Sequence, residues 1–233
     1  MSTLALLGGL GTTTTIWRAQ LEAIPDALVF DLPGHGAEPL PDGAVTVGGI
    51  GASLLERLPE RFSFCGISLG GMVGLWIAAH APERVERLAI ACSGAKLGRR
   101  EDYEARAVLV RSEGVGVVVE GARDRWFTPT FWEAPEARVV LDELATMSAE
   151  GYAACCEAVG TADLRSDLSR IAAPTLAIFG AEDTVTPPAV RDELVSGIRA
   201  ARVMEIAGAA HLACVEQPEA FTAAVLDHLR SAA

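Results

Sequence analysis

Short runs rich in apolar residues fall at 4–7, 27–31, 62–66, 88–92, 175–180 and 202–206. Between them lie longer stretches with apolar residues at helical spacing, over 15–23, 48–58, 70–80, 189–199 and 218–229. The short runs read as strands, that at Phe62–Cys65 as a buried one, and the longer stretches as the helices between them. Strand and helix in alternation predict an α/β fold, a mostly parallel sheet with helices on both faces. No internal repeat or low-complexity block interrupts it.

The alternation stops between Gly94 and about Asp163. That segment is charged and helical in pattern, with apolar positions at 108, 109, 110, 139, 140, 141 and 144. It predicts an inserted helical cap over 97–162, with a core built from 1–96 and 163–233. Trp126, Phe127, Phe131 and Trp132 lie close together within it. They either wall a site or pack the cap onto the core.

The third strand runs into Gly66-Ile67-Ser68-Leu69-Gly70, and a buried helix follows. Strand, sharp turn with Ser at the apex, then helix is the setting of a nucleophile elbow. A serine held in a strained backbone needs neighbours without Cβ atoms so that strand and helix can approach. In that arrangement the partners follow in the order Ser, acid, His. Three histidines lie after Ser68. His80 ends the post-elbow helix and reads as a surface or capping residue. His228 falls in the last helical pattern, on an expected solvated face. His211 lies in the small-residue loop Gly208-Ala209-Ala210-His211 after the sixth strand, where an imidazole reaches over the sheet. The acid is Asp183 or Glu182, in the loop after the fifth strand. An Asx turn would also explain Asp183, and the two roles are compatible.

Gly8-Gly9-Leu10-Gly11 follows the first strand. There the Leu10 N–H, with that of Leu69, completes an oxyanion hole. Asp31-Leu32-Pro33-Gly34-His35-Gly36 is turn-forming. His35 precedes Ser68 in the chain, the wrong order for the base, and reads as a structural turn residue.

Composition narrows the field. With 19 Lys and Arg against 31 Asp and Glu, the net charge is −12. That argues against nucleic-acid or anionic-membrane partners, which need basic patches. It also leaves an anionic substrate dependent on a local cation. The five cysteines are odd in number and match no zinc or redox spacing. Cys65 and Cys92 read as small core residues in strands, and a reducing cytoplasm is the simple compartment. Residues 1–10 lack a basic start and read as a strand, not a signal peptide. No apolar run approaches the roughly 18 residues of a membrane span.

Together these motifs resemble the α/β-hydrolases: Leu7-Gly8-Gly9-Leu10-Gly11, the Asp31–Gly36 turn, the Ser68 elbow, Gly180-Ala181-Glu182-Asp183 and Gly208-Ala209-Ala210-His211. Three further segments resemble the 3-oxoadipate enol-lactonases of aromatic catabolism in particular. They are Arg125-Trp126-Phe127-Thr128-Pro129, residues 150–158 and Ala162-Asp163-Leu164-Arg165. The resemblance selects Asp183 as the acid. It implies a serine hydrolase with Ser68, Asp183 and His211 as the triad, Leu10 and Leu69 as oxyanion donors, and no metal or organic cofactor. It implies a small anionic lactone as substrate, with its carboxylate on Arg125, Arg111 behind it, and Trp126 walling the pocket. It also implies departures. The preceding strand pair usual in this fold is absent, so the sheet is expected to be shorter at one edge. Gly8-Gly9 stands where many relatives have His-Gly, and Glu38 where a small residue is common.

Overall fold

The computed structural model describes residues 3–231. Six strands, β1 (Leu4–Leu7), β2 (Leu28–Phe30), β3 (Phe62–Ile67), β4 (Val85–Ala91), β5 (Thr175–Gly180) and β6 (Ala201–Ile206), form one sheet. All neighbours are parallel, in the order β2-β1-β3-β4-β5-β6. The connections leave β1 toward one edge and return at β3 to run toward the other. This reversal opens a crevice at the carboxyl ends of β1 and β3, where open α/β sheets bind ligands.

Alternate side chains supply two cores, as strand geometry requires. Ala5, Leu7, Phe62, Phe64, Leu88, Ile90, Ala177 and Phe179 face one layer. Its helices are α2 (Val47–Arg57), through Ile50 and Leu54, and α3 (Leu69–His80), through Val73 and Ile77. Leu4, Leu6, Cys65, Ile67, Ala89, Ala91, Leu176 and Ile178 face the other layer. There α1 (Arg18–Ala23) lies behind Trp17, and α10 (Pro218–Arg230) contributes Phe221 and Val225. Helix starts follow local chemistry. Thr46 caps α2 by accepting the Gly49 N–H, and Pro218 opens α10.

Between β4 and β5 run α4 (Arg100–Glu113), α5 (Val119–Trp126), α6 (Pro135–Ala145) and α7 (Ala149–Thr161), the inserted helical cap. On it Val110, Val140 and Leu144 are buried, while Val108, Leu109 and Val139 are exposed. The Arg111 guanidinium ties α4 to α7 through Glu150 at 2.8 Å and Glu157 at 2.5 Å. The short helices α8 (Pro188–Gly197) and α9 (Ala213–Glu216) complete the chain. Among the described residues no helix is long and apolar enough to cross a membrane.

Two details differ from the sequence pattern. The fourth strand starts at Val85 and ends at Ala91, so Cys92 lies beyond it. At φ +43° the Cys92 backbone leaves the extended region and cannot continue the strand. His228 is buried, with Nε2 at 3.0 Å from the Leu88 carbonyl and 3.1 Å from that of Pro174. An imidazole with a backbone partner fits the inner stripe of α10, which apolar periodicity alone assigns to solvent.

Candidate active site

Ser68 sits between β3 and α3 with φ +53° and ψ −118°, one of two non-glycine residues at positive φ among those described. Such a backbone costs about 1–3 kcal/mol and persists only where its surroundings fix it. Here the Ser68 N–H donates to the Ala91 carbonyl at 2.9 Å, and the Ser93 hydroxyl donates to the Ser68 carbonyl at 2.6 Å. The glycines of the motif have a steric cause. A Cβ on Gly70 would lie 2.3 Å from the Leu7 carbonyl oxygen, and one on Gly66 would lie 2.2 Å from that of Gly70. From Phe62 to Leu75, Ser68 is the one residue that is not buried. The chain thus raises a single hydroxyl at the crevice.

Two loops at the carboxyl ends of the same parallel sheet meet one another. His211, after β6, has Nδ1 at 3.2 Å from both carboxylate oxygens of Asp183, after β5. The side chains are 4% and 0% exposed, so water does not compete for the pair. Asp183 also accepts the Val185 N–H at 2.8 Å and the Thr186 hydroxyl, so the Asx turn and the imidazole contact coexist. Burial pushes the Asp183 carboxyl up. The His211 charge and the hydrogen bonds from His211, Thr186 and Val185 outweigh it and hold the group below the ordinary carboxylate range. Glu182 is exposed. The Ser68 hydroxyl itself has no hydrogen-bond partner among the described residues. The Ser68–His211 link is therefore the one part of the expected triad that the hydrogen bonds leave unmade, as is common without substrate.

Gly9 lies against Ser68: a Cβ there would be 3.0 Å from the Ser68 Cβ. This brings the loop carrying Leu10 onto the serine. Leu69 opens α3, where the first N–H groups have no intrahelical acceptor. The Leu10 loop is braced from three sides. The Gly11 N–H donates to His35 Nε2 at 3.0 Å, and the Thr14 N–H to Asp31 at 2.8 Å. The Thr13 and Thr15 hydroxyls donate to Glu143 of α6 at 2.6 and 2.7 Å. His35 is thus the structural turn residue expected, with a further role as acceptor for the loop. Its Nδ1 lies 3.0 Å from the Pro33 carbonyl, so that nitrogen carries the proton. Burial drives its pKa down to about 4.

The cap side is only partly as expected. Trp126 is buried, and its ring would lie 3.2 Å from a Cβ on Gly11, with Tyr152 at 3.0 Å. Arg125 is half-buried, and neither it nor Arg106 forms an ion pair among the described residues. Burial, and then the neighbouring Arg106 charge, lower the Arg125 pKa. Arg111, expected behind Arg125, is spent on Glu150 and Glu157. Arg106 is the arginine that neighbours Arg125 instead, its guanidinium 5.2 Å over the Tyr103 ring. Arg106 carries no motif, whereas Tyr152 lies within the 150–158 segment that resembles the enol-lactonases. The signal available was one turn of α4 facing one turn of α7. Phe127 and Phe131 pack on one another at 5.6 Å, the structural role held open for them.

Cys92 was also missed as a neighbour of the site. Its sulfur, an Asp183 oxygen and a His211 ring nitrogen lie within 4.8 Å of one another. Burial and Asp183 hold the thiol protonated, and the carboxylate is already taken by its donors, so the trio is poorly suited to a metal.

An elbow serine and a buried Asp–His pair at the carboxyl edge of a parallel sheet define a hydrolase fold. The family model described as the alpha/beta hydrolase family matches residues 4–224, and the chain belongs to that family. Over 225 residues it is 40% identical to 3-oxoadipate enol-lactonase 2 of Acinetobacter baylyi, covering 93% of this chain and 84% of that protein. It is 28% identical to a pimeloyl-[acyl-carrier protein] methyl ester esterase of Nitrosomonas europaea, over 94% and 92% of the two chains. The crystal structure of the enol-lactonase from Burkholderia xenovorans LB400 superposes with a TM-score of 0.93 at 32% identity, covering 99% of this chain and 92% of that one. The chain is thus a hydrolase that resembles the enol-lactonases.

Proposed function

We propose that the protein opens the ring of 3-oxoadipate enol-lactone to give 3-oxoadipate, through an acyl-enzyme on Ser68. The observation that carries this reading is an elbow serine and a buried His211–Asp183 pair at the carboxyl edge of one parallel sheet, in a chain 40% identical to an enol-lactonase. His211 takes the Ser68 proton as the hydroxyl oxygen attacks the lactone carbonyl, and Asp183 stabilises the resulting cation. The Leu10 and Leu69 N–H groups receive the oxyanion, each worth about 10²–10³ in rate. The ring C–O bond breaks, and His211 returns its proton to the departing enol oxygen. That enol remains attached to the acyl chain and becomes a ketone. Water, deprotonated by His211, then clears the acyl group and restores Ser68. No step calls on a metal or organic cofactor.

The substrate's free carboxylate pairs with Arg125, seconded by Arg106, with Trp126 as a wall. Two half-buried arginines that form no ion pair among the described residues, in a chain of net charge −12, support this assignment. Five free cysteines in no metal or redox pattern support a cytoplasmic location. The identity to a methyl ester esterase favours one second reading, hydrolysis of another small ester by the same triad. Loss of enol-lactone absorbance on adding enzyme, compared with release from a neutral methyl ester, separates the two. The lactonase reading predicts kcat/KM at least about 10²-fold higher for the lactone. Equal or inverted values contradict it. Arg125→Ala should raise KM for the lactone about tenfold or more and leave KM for the neutral ester within twofold.

A further inference from the structure

The loop that holds His211 is fixed to the cap by a buried carboxylate outside the triad. Glu216 ends α9 and is 5% exposed. Its Oε2 accepts the Ala210 N–H at 2.8 Å. Its Oε1 accepts the Thr128 N–H at 2.8 Å and also the Thr128 hydroxyl. A carboxylate removed from water is costly unless donors satisfy it, and here three donors do. Two of them are backbone groups on different parts of the fold. Ala210 directly precedes His211, and Thr128 directly follows Phe127 at the end of α5. On the other side of His211, the Leu212 N–H donates to the Trp126 carbonyl at 3.0 Å. The backbone on both sides of the imidazole is therefore tied to residues 126–128 of the cap. A residue needed only to end α9 would not have to be a buried anion.

We propose that Glu216 is a positioning residue, which sets the His211 imidazole against Ser68 and makes cap seating and base alignment a single event. The inference rests on the triad reading above. A displacement of about 1 Å at a reacting group costs up to about 10²-fold in rate. The effect therefore reads out as slower activation of Ser68, separate from any loss of stability.

A fluorophosphonate probe measures that activation without relying on substrate recognition by the cap. The full chain and its Glu216→Gln, Thr128→Val and Thr128→Ser variants are labelled well below their unfolding midpoints. Glu216→Gln should label about 10–100-fold more slowly and Thr128→Val about 3–10-fold more slowly, while Thr128→Ser, which keeps both donors, recovers the rate. With a small p-nitrophenyl ester the loss should fall on kcat, with KM within about twofold. Wild-type labelling rates in folded Glu216→Gln and Thr128→Val overturn the proposal, and so does equal slowing by Thr128→Ser. If Glu216→Gln does not fold, the Thr128 pair decides. A wild-type chain that does not label at Ser68 overturns the triad reading instead, so the two failures are distinct.

Discussion

His35 shows how much a single neutral imidazole contributes without touching the reacting atoms. Nε2 accepts the Gly11 N–H only while it is unprotonated. Burial holds the ring neutral down to about 4, against 6.5 for the free side chain. The unfolded chain therefore binds more protons between those values, and stability falls as pH drops from about 6.5 through about 4. The full difference amounts to about 3 kcal/mol, present above pH 6.5. Urea midpoints at pH 7 and pH 4.5 should show a smaller acid loss in His35→Ala than in wild type. An identical loss in both would contradict the assignment. The motif around His35 was legible as a turn. Its bond to Gly11 was not, because the acceptor and donor are 24 residues apart and no spacing rule joins them. The same holds for Glu216 and Thr128, 88 residues apart. His211 and Asp183 were legible because strand, loop and chain order narrow the choice to a few residues.

At the level of elements, β3, the elbow and α3 work as one unit. Phe62 and Phe64 anchor β3, and α3 is buried on nearly every side. Gly70 is where α3 crosses the end of β1, so Gly70→Ala drives a methyl into the Leu7 and Gly8 carbonyls. It should cost more than about 3 kcal/mol in urea denaturation, since both obstructing atoms are backbone. The α4–α7 tie is of another kind. Arg111 is 34% exposed, and Arg111→Ala should cost about 1 kcal/mol or less and leave KM for the lactone unchanged. A rise in KM matching that of Arg125→Ala would restore Arg111 to the substrate site. Sequence periodicity found these helices but not which arginine faces which carboxylate. That depends on the rotation of α4 against α7, and a pattern of charged positions does not fix it.

Across the whole molecule, the sheet order places three loops at one edge, and two acidic side chains, one on the cap and one on the core, join the cap to them. Glu143 holds the Leu10 loop, and Glu216 holds the His211 loop. Cap contacts therefore brace both the loop after β1 and the loop after β6. The strand–helix alternation made the core legible almost throughout, because fully buried parallel strands such as β1 and β5 read as apolar runs. The cap was legible as a helical insertion but not in its seating, since the residues it packs and bonds against are distant in sequence. The central chemistry is tested most directly by quenching the enzyme with enol-lactone and weighing the peptide that contains Ser68. Ring opening loses no fragment, so that peptide should gain the full mass of the lactone, and Ser68→Ala should show no adduct and about 10⁴-fold less turnover. An unmodified Ser68 peptide during turnover, or undiminished activity in Ser68→Ala, would contradict it.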